Sequence, residues 1–232
     1  NNLLEILNDY ENNNNLDESD KLVRYGIKEI LRNIGVNIIN SCKKDNLKKL
    51  ILLSVISNQG NSTINILLGK TLSELGKKVL LVDLELRNSS LYKYLGLSNN
   101  KGFKNIIYEN NIDINKITQK VKYCENLYFI SGGKSNKSLN ELSNSIQFEK
   151  FIKIIENNNK YDFILIDSPP LLGSVDSKII SKLVDANILL FNIDMITKDY
   201  LKQSLKILKE LDVKTIGAIM NGSEDIDNEL LT

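Results

Sequence analysis

Apolar and polar positions follow two rhythms along the chain. Residues 18–35 set Leu22, Val23, Ile27, Ile30, Leu31 and Ile34 at helical spacing, which gives one apolar face on a polar segment. From residue 50 the rhythm changes to short continuous apolar runs. Those at 50–56, 78–82, 127–130, 163–166, 187–192 and 214–220 read as strands. Between them, 62–75, 146–156, 177–183 and 198–211 read as helices, the first stopped by Gly76. Segment 84–125 is irregular, with helical patches near 91–95 and 103–107. Strands without polar alternation are buried on both faces, as in parallel sheets. Alternation of strand and helix predicts right-handed crossovers and a doubly wound, mostly parallel α/β fold with helices on both faces. Residues 1–44 read as an Asn-rich arm and an amphipathic helix, and 45–232 as one domain, with 41–46 a polar connector.

Sheets of this kind bind ligands beyond the carboxyl ends of their strands. Here those ends are 57–60, Asp83, 131–133, Asp167 and Asn221. The first is followed by Asn61-Ser62-Thr63 opening a helix. Strand, small polar loop and Ser-Thr at a helix start outline a phosphate-binding loop. Such a loop needs Lys between its last Gly and the Ser/Thr, and this chain has Asn61. Asp83 and Asp167 each close an apolar run. One acid at a strand end can simply solvate the exit or cap a turn. Two at matching ends beside such a loop, with the Ser62 hydroxyl, make a set of hard oxygen ligands for the Mg²⁺ of a nucleotide. Glu85 and Arg87 follow at two-residue steps. In an extended segment they share a face with Asp83; otherwise they are an exposed acid–base pair in a loop.

Composition narrows the chemistry. The formal net charge is +1, so no global field points to nucleic acid or an anionic membrane. The chain has no His, which removes His bases, Ser-His-Asp triads and His metal sites. Cys42 and Cys124 form no CxxC and read as reduced, half-buried thiols of a cytosolic protein. No apolar run approaches the about 20 residues of a membrane span, and no signal peptide precedes the domain.

The segment 77–87, ending Val82-Asp83-Leu84-Glu85-Leu86-Arg87, is followed by Leu91, Leu95-Gly96-Leu97 and Gly102. It resembles the Asp-x-Asp-x-Arg signature of the bacterial tyrosine kinases of capsule and exopolysaccharide synthesis. The resemblance continues through Gly133, Glu141-Leu142, the run 161–170 ending Asp167-Ser168-Pro169-Pro170, Asp176 and the segment 216–222. It implies a P-loop fold related to the ParA/MinD ATPases, with ATP and Mg²⁺ as cofactors. It implies autophosphorylation of a carboxy-terminal tyrosine cluster in a neighbouring subunit of a homo-oligomer. The implied partner is a membrane polysaccharide co-polymerase, whose cytoplasmic tail recruits and activates the kinase. Carried over by position, Asp83, Glu85 and Asp167 are the catalytic set, and Ser62, Asp83 and Asp167 the metal set. Asn58, Gln59, Gly60, Asn61, Ser62 and Thr63 hold phosphate, and Asn221 lies beside the adenine.

The departures from the family pattern fall on function. Asn61 has neither the charge nor the reach of the lysine. Asn58 replaces a Gly, although Asn tolerates positive φ. Glu85 is one methylene longer than the usual Asp. Segment 191–197 has no Arg, and of the amino-terminal assembly motif, falling on Gly26, Glu29 and Arg32, only Arg32 matches. The last tyrosine is Tyr200, so the tyrosine cluster has no counterpart. The expectation is a cytoplasmic P-loop protein of the capsular kinase type, impaired in catalysis, acting as partner or regulator. The alternatives are an active autokinase that obtains a cation from a partner, and a ParA/MinD-like ATPase. The acidic residues Glu224, Asp225, Asp227 and Glu229 disfavour the last, which needs a basic or membrane-binding element.

Overall fold

The computed structural model describes residues 18–108, 113–134, 145–157 and 159–222. The chain begins with helix α1 (Glu18–Lys43), then β1 (Lys49–Ser54), α2 (Asn61–Glu74) and β2 (Val79–Asp83). Three short helices follow, α3 (Leu91–Tyr94), α4 (Phe103–Tyr108) and α5 (Ile114–Ile117), and then β3 (Gln119–Lys120) and β4 (Leu127–Ile130). The remainder alternates: α6 (Ser145–Asn157), β5 (Phe163–Asp167), α7 (Val175–Ser181), β6 (Ala186–Asn192), α8 (Lys198–Glu210) and β7 (Thr215–Asn221). The strands form a seven-stranded sheet in the order β3-β4-β2-β5-β1-β6-β7. Every pairing is parallel except β3 with β4. The doubly wound, mostly parallel α/β fold expected from the alternation is present.

Side chains leave a strand alternately on its two faces, and here both faces are apolar. Ile51, Leu53, Leu80, Val82, Ile164 and Ile166 enter one core with the aromatic rings of α4 and α6. There Phe103 stacks on Phe148 at 5.3 Å and meets Phe151 edge-on at 5.0 Å. Leu50, Leu52, Val79, Leu81 and Leu165 enter the other core with Ile66, Leu68 and Leu72 of α2 and Ile38 and Cys42 of α1. Burying each such side chain contributes about 1.5–3 kcal/mol, so the central strands carry no polar position until their ends.

Several boundaries differ from the sequence reading. Helix α1 runs into the first half of the expected connector, to Lys43, because Ile38 and Cys42 extend its buried stripe over α2. Cys42 and Cys124 are buried rather than half-buried. Helix α5 and the antiparallel β3 lie in the segment read as irregular. The Asn-rich arm at 1–16 and the acidic residues of 224–229 lie outside the described residues. Among the described residues, no helix is long and apolar enough to cross a membrane.

Helix α8 has a built start, with the Thr197 hydroxyl accepting from the Tyr200 N–H at 3.3 Å. Thr197→Ala is expected to cost about 1 kcal/mol, seen as a lower urea midpoint at unchanged slope.

Candidate functional site

β1 lies next to β5, and β5 next to β2, so the loop after β1 and the ends of the other two strands open on one edge of the sheet. Asp83 and Asp167 are register partners at the last step of β2 and β5. The topology thus brings together the loop and both strand-end acids.

The loop turns twice through left-handed backbone, at Asn58 (φ 64°) and Gly60 (φ 87°). A side chain at Gly60 would also strike the Asn221 amide, 2.9 Å from where its Cβ would sit. Asn221 Nδ2 donates to the Gln59 carbonyl at 3.1 Å, which ties the end of β7 to the loop. The Gln59 side chain points inward: its Oε1 accepts from Val55 N–H at 2.9 Å and Ile56 N–H at 3.1 Å. Gln59 therefore braces the loop from beneath and does not line the cavity. Asn58, Gly60, Asn61, Ser62 and Thr63 do line it, around a space of about 220 Å³ with Glu85 also in the wall. Helix α2 begins at Asn61, so its unpaired N–H groups and positive end favour an anion here.

Asp167 sits at the base of the loop, 1% exposed. One carboxylate oxygen accepts from the Ser62 hydroxyl at 2.7 Å. The other accepts from Asn61 Nδ2 at 2.7 Å and Asn65 Nδ2 at 3.1 Å. Asn61 Nδ2 also reaches the Ser168 carbonyl at 3.1 Å, while Asn61 Oδ1 is buried without a partner. Asn65 is absent from the sequence-level site. It stands one turn beyond Asn61, on the same helix face, and that i, i+4 spacing was the available signal.

Asp83 is fully buried and accepts from Ser89 Oγ at 2.7 Å and the Glu85 N–H at 3.2 Å. Burial pushes its carboxyl above the ordinary range, partly opposed by those donors. Burial pushes Asp167 up as well, reinforced by the charge of Asp83 and opposed by Ser62. Glu85, half-buried in the cavity wall, is raised by burial too. No ion pair reaches Asp83 or Asp167 among the described residues. Glu85 and Arg87 do not act as one face: Glu85 turns to the loop cavity and Arg87 lines the next one.

Two buried acids without an ion-pair partner among the described residues, one of them bonded to the Ser62 hydroxyl, fit a hard divalent cation. Among the described residues no three acids or thiols gather closely enough to hold a metal alone. The donor set therefore fits a cation that brings further oxygen ligands with it, as a nucleotide-bound Mg²⁺ does.

The AAA-domain family model matches residues 52–219. Tyrosine-protein kinase CpsD of Streptococcus agalactiae serotype III is 30% identical over 197 residues, covering 84% of this chain and 82% of that protein. The kinase domain of the Escherichia coli tyrosine kinase ETK superposes with a TM-score of 0.76 at 20% identity, over 84% of this chain and 75% of that one. The septum site-determining protein MinD of Pyrococcus horikoshii OT3, solved with Mg-ADP, gives a TM-score of 0.64 at 24% identity, over 79% and 75% of the two chains.

Proposed function

Because the chain belongs to the AAA-domain family and to the bacterial tyrosine kinases of capsule and exopolysaccharide synthesis, we propose that it is a cytoplasmic kinase-like P-loop protein impaired in phosphoryl transfer. It serves polysaccharide assembly as partner or regulator of a membrane co-polymerase. The observation that carries this reading is the Asn61 side chain. It is bonded to Asp167 and the Ser168 carbonyl, where a lysine would send a cation toward phosphate.

The chain's remaining parts divide the work of a nucleotide site. The N–H groups at the start of α2 receive phosphate oxygens, and the turn at Gly60 lets the backbone approach them. Ser62 and Asp167 form the metal side. Asp83, buried and raised in pKa, suits proton uptake from an incoming hydroxyl. MgATP, when bound, would supply the divalent charge that the acid pair lacks and the phosphoryl group itself. What the loop cannot supply is a mobile positive charge against the outer phosphates. A hydrogen bond to a charged group is worth about 1.5–3 kcal/mol, so binding is weakened about 10- to 100-fold.

Isothermal titration with MgATP tests this. The expected result is weak, millimolar-range binding and no phosphotyrosine after incubation. Micromolar binding together with phosphotyrosine overturns it. Turnover that appears only with a co-polymerase tail transfers the assignment to an active kinase completed by its partner.

A further inference from the structure

Beside the loop cavity lies a second and larger one, about 710 Å³, lined by Arg87, Lys93, Lys104 and Lys134 and, among the described residues, by no carboxylate. In a chain of net charge +1, four cations with no carboxylate among the described residues of the same lining are a local excess, even with Asp83 buried behind Lys104 and Ser89. Asn88 and Ser90 line both cavities, so the two spaces adjoin. None of the four cations lines the loop cavity, and so they do not take the place of the lysine missing at Asn61. They face a space of their own.

The far wall of that space is stiff. The segment leading into α4 is stitched to the loop after β4 by Phe103 N–H to Ser131 O at 2.9 Å and Lys104 N–H to Gly132 O at 3.0 Å. Gly133 N–H donates to Asn99 Oδ1 at 2.9 Å, and Ser131 Oγ to Lys101 O at 3.0 Å. The packing at Gly102 leaves no room for a side chain, whose Cβ would lie 1.9 Å from the Ser131 carbonyl oxygen. Lys104 is thereby anchored through its own backbone, half-buried, and burial lowers its pKa even with Asp83 nearby to hold its charge. Among the described residues none of the four cations makes an ion pair.

We propose that this recess is a second anion site, distinct from the nucleotide loop, that takes a phosphate group of charge about −2. A single carboxylate would leave most of the four charges unanswered. A phosphomonoester offers three acceptor oxygens to them, and the volume admits the group that carries it. The source is either a phosphorylated side chain or a small phosphate, and the shared chemistry is the dianionic phosphate. The site stands whether or not the neighbouring loop binds MgATP.

The test titrates the whole chain with phenyl phosphate and, separately, with inorganic phosphate, at low salt and without nucleotide or Mg²⁺. Saturable binding is expected. Lys104→Ala combined with Lys134→Ala should weaken it about tenfold or more, and Lys104→Arg should retain it. A control pair on α8, Lys202→Ala with Lys209→Ala, should leave it unchanged. Tighter binding of phenyl phosphate assigns a phosphorylated aromatic side chain, and equal binding assigns a small phosphate. Absence of saturable binding overturns the site. So does equal weakening in the α8 control, which would mark the effect as diffuse charge. Full binding by the cavity double variant overturns it too, because the anion then sits elsewhere.

Discussion

Asn61→Lys is expected to tighten MgATP binding about 10- to 100-fold, the worth of one charged hydrogen bond of about 1.5–3 kcal/mol. The surroundings that would receive the new cation are already in place. Helix α2 starts at this residue, Gly60 holds the turn before it, and Ser62 follows it. The Asn61 amide already lies 2.7 Å from Asp167, so a lysine here also passes within reach of a buried acid that has no cation. The same substitution therefore answers two deficits, phosphate charge and acid-pair charge. It should raise the melting temperature of the free protein at neutral pH as well as its affinity. Paired titrations of the parent and the variant check the first effect, and thermal melts the second. A variant that binds MgATP no better than the parent would show that the loop is closed to nucleotide for some reason besides Asn61.

The second large effect concerns pH. Asp83 and Asp167 hold their protons more tightly folded than unfolded, because burial raises both pKa values, reinforced at Asp83 by the charge of Glu85 and at Asp167 by that of Asp83. Between the ordinary carboxylate pKa and the raised folded values, the folded state binds more protons than the unfolded state. Stability contributed by these groups is therefore greatest in acid. It falls as pH climbs through that window and levels off above the folded values. Each pK unit of difference is worth about 1.4 kcal/mol. In a domain of this size that is about 2–4 °C per kcal/mol. Asp167→Asn removes the titrating group while keeping an acceptor for Asn61 and Asn65. The variant is expected to melt higher than the parent at pH 8, to match it near pH 4, and to lose any stabilisation by Mg²⁺. A parent protein whose melting temperature rises steadily from pH 5 to pH 8 would contradict the sign of the effect.

Much of this site could be read before the fold was known, and the reasons are local. Asp83 and Asp167 stand out because each is the first polar residue after an apolar run, and only a strand end accommodates that change. Asn58 at positive φ was foreseeable because few side chains other than Gly tolerate it. The direction of Gln59 was not legible. A glutamine in a polar loop can face ligand or backbone equally well, and only the path of the chain at Val55 and Ile56 decides. The split between Glu85 and Arg87 was hidden for a related reason. β2 ends at Asp83, so the two-residue period that would have aligned them stops there. β3 is a two-residue strand, too short to show any period. The basic recess escaped because its cations, Arg87, Lys93, Lys104 and Lys134, stand singly along the chain and form no charge run.

The placement of β1 inside the sheet has a consequence for how the protein comes into being. Its hydrogen-bonded neighbours are β5 and β6, not the strand that follows it in the chain. During synthesis β1 and the loop after it emerge first, and the strands that flank β1, with the acid Asp167, arrive only after α6 has been made. Until then β1 exposes two unpaired edges and a continuous apolar surface, the condition that makes nascent chains need shielding. Most pairings of the sheet join distant segments, which places folding on the slow side for a domain of this length. Shielding of the nascent chain by a chaperone would therefore matter most before β5 and β6 emerge.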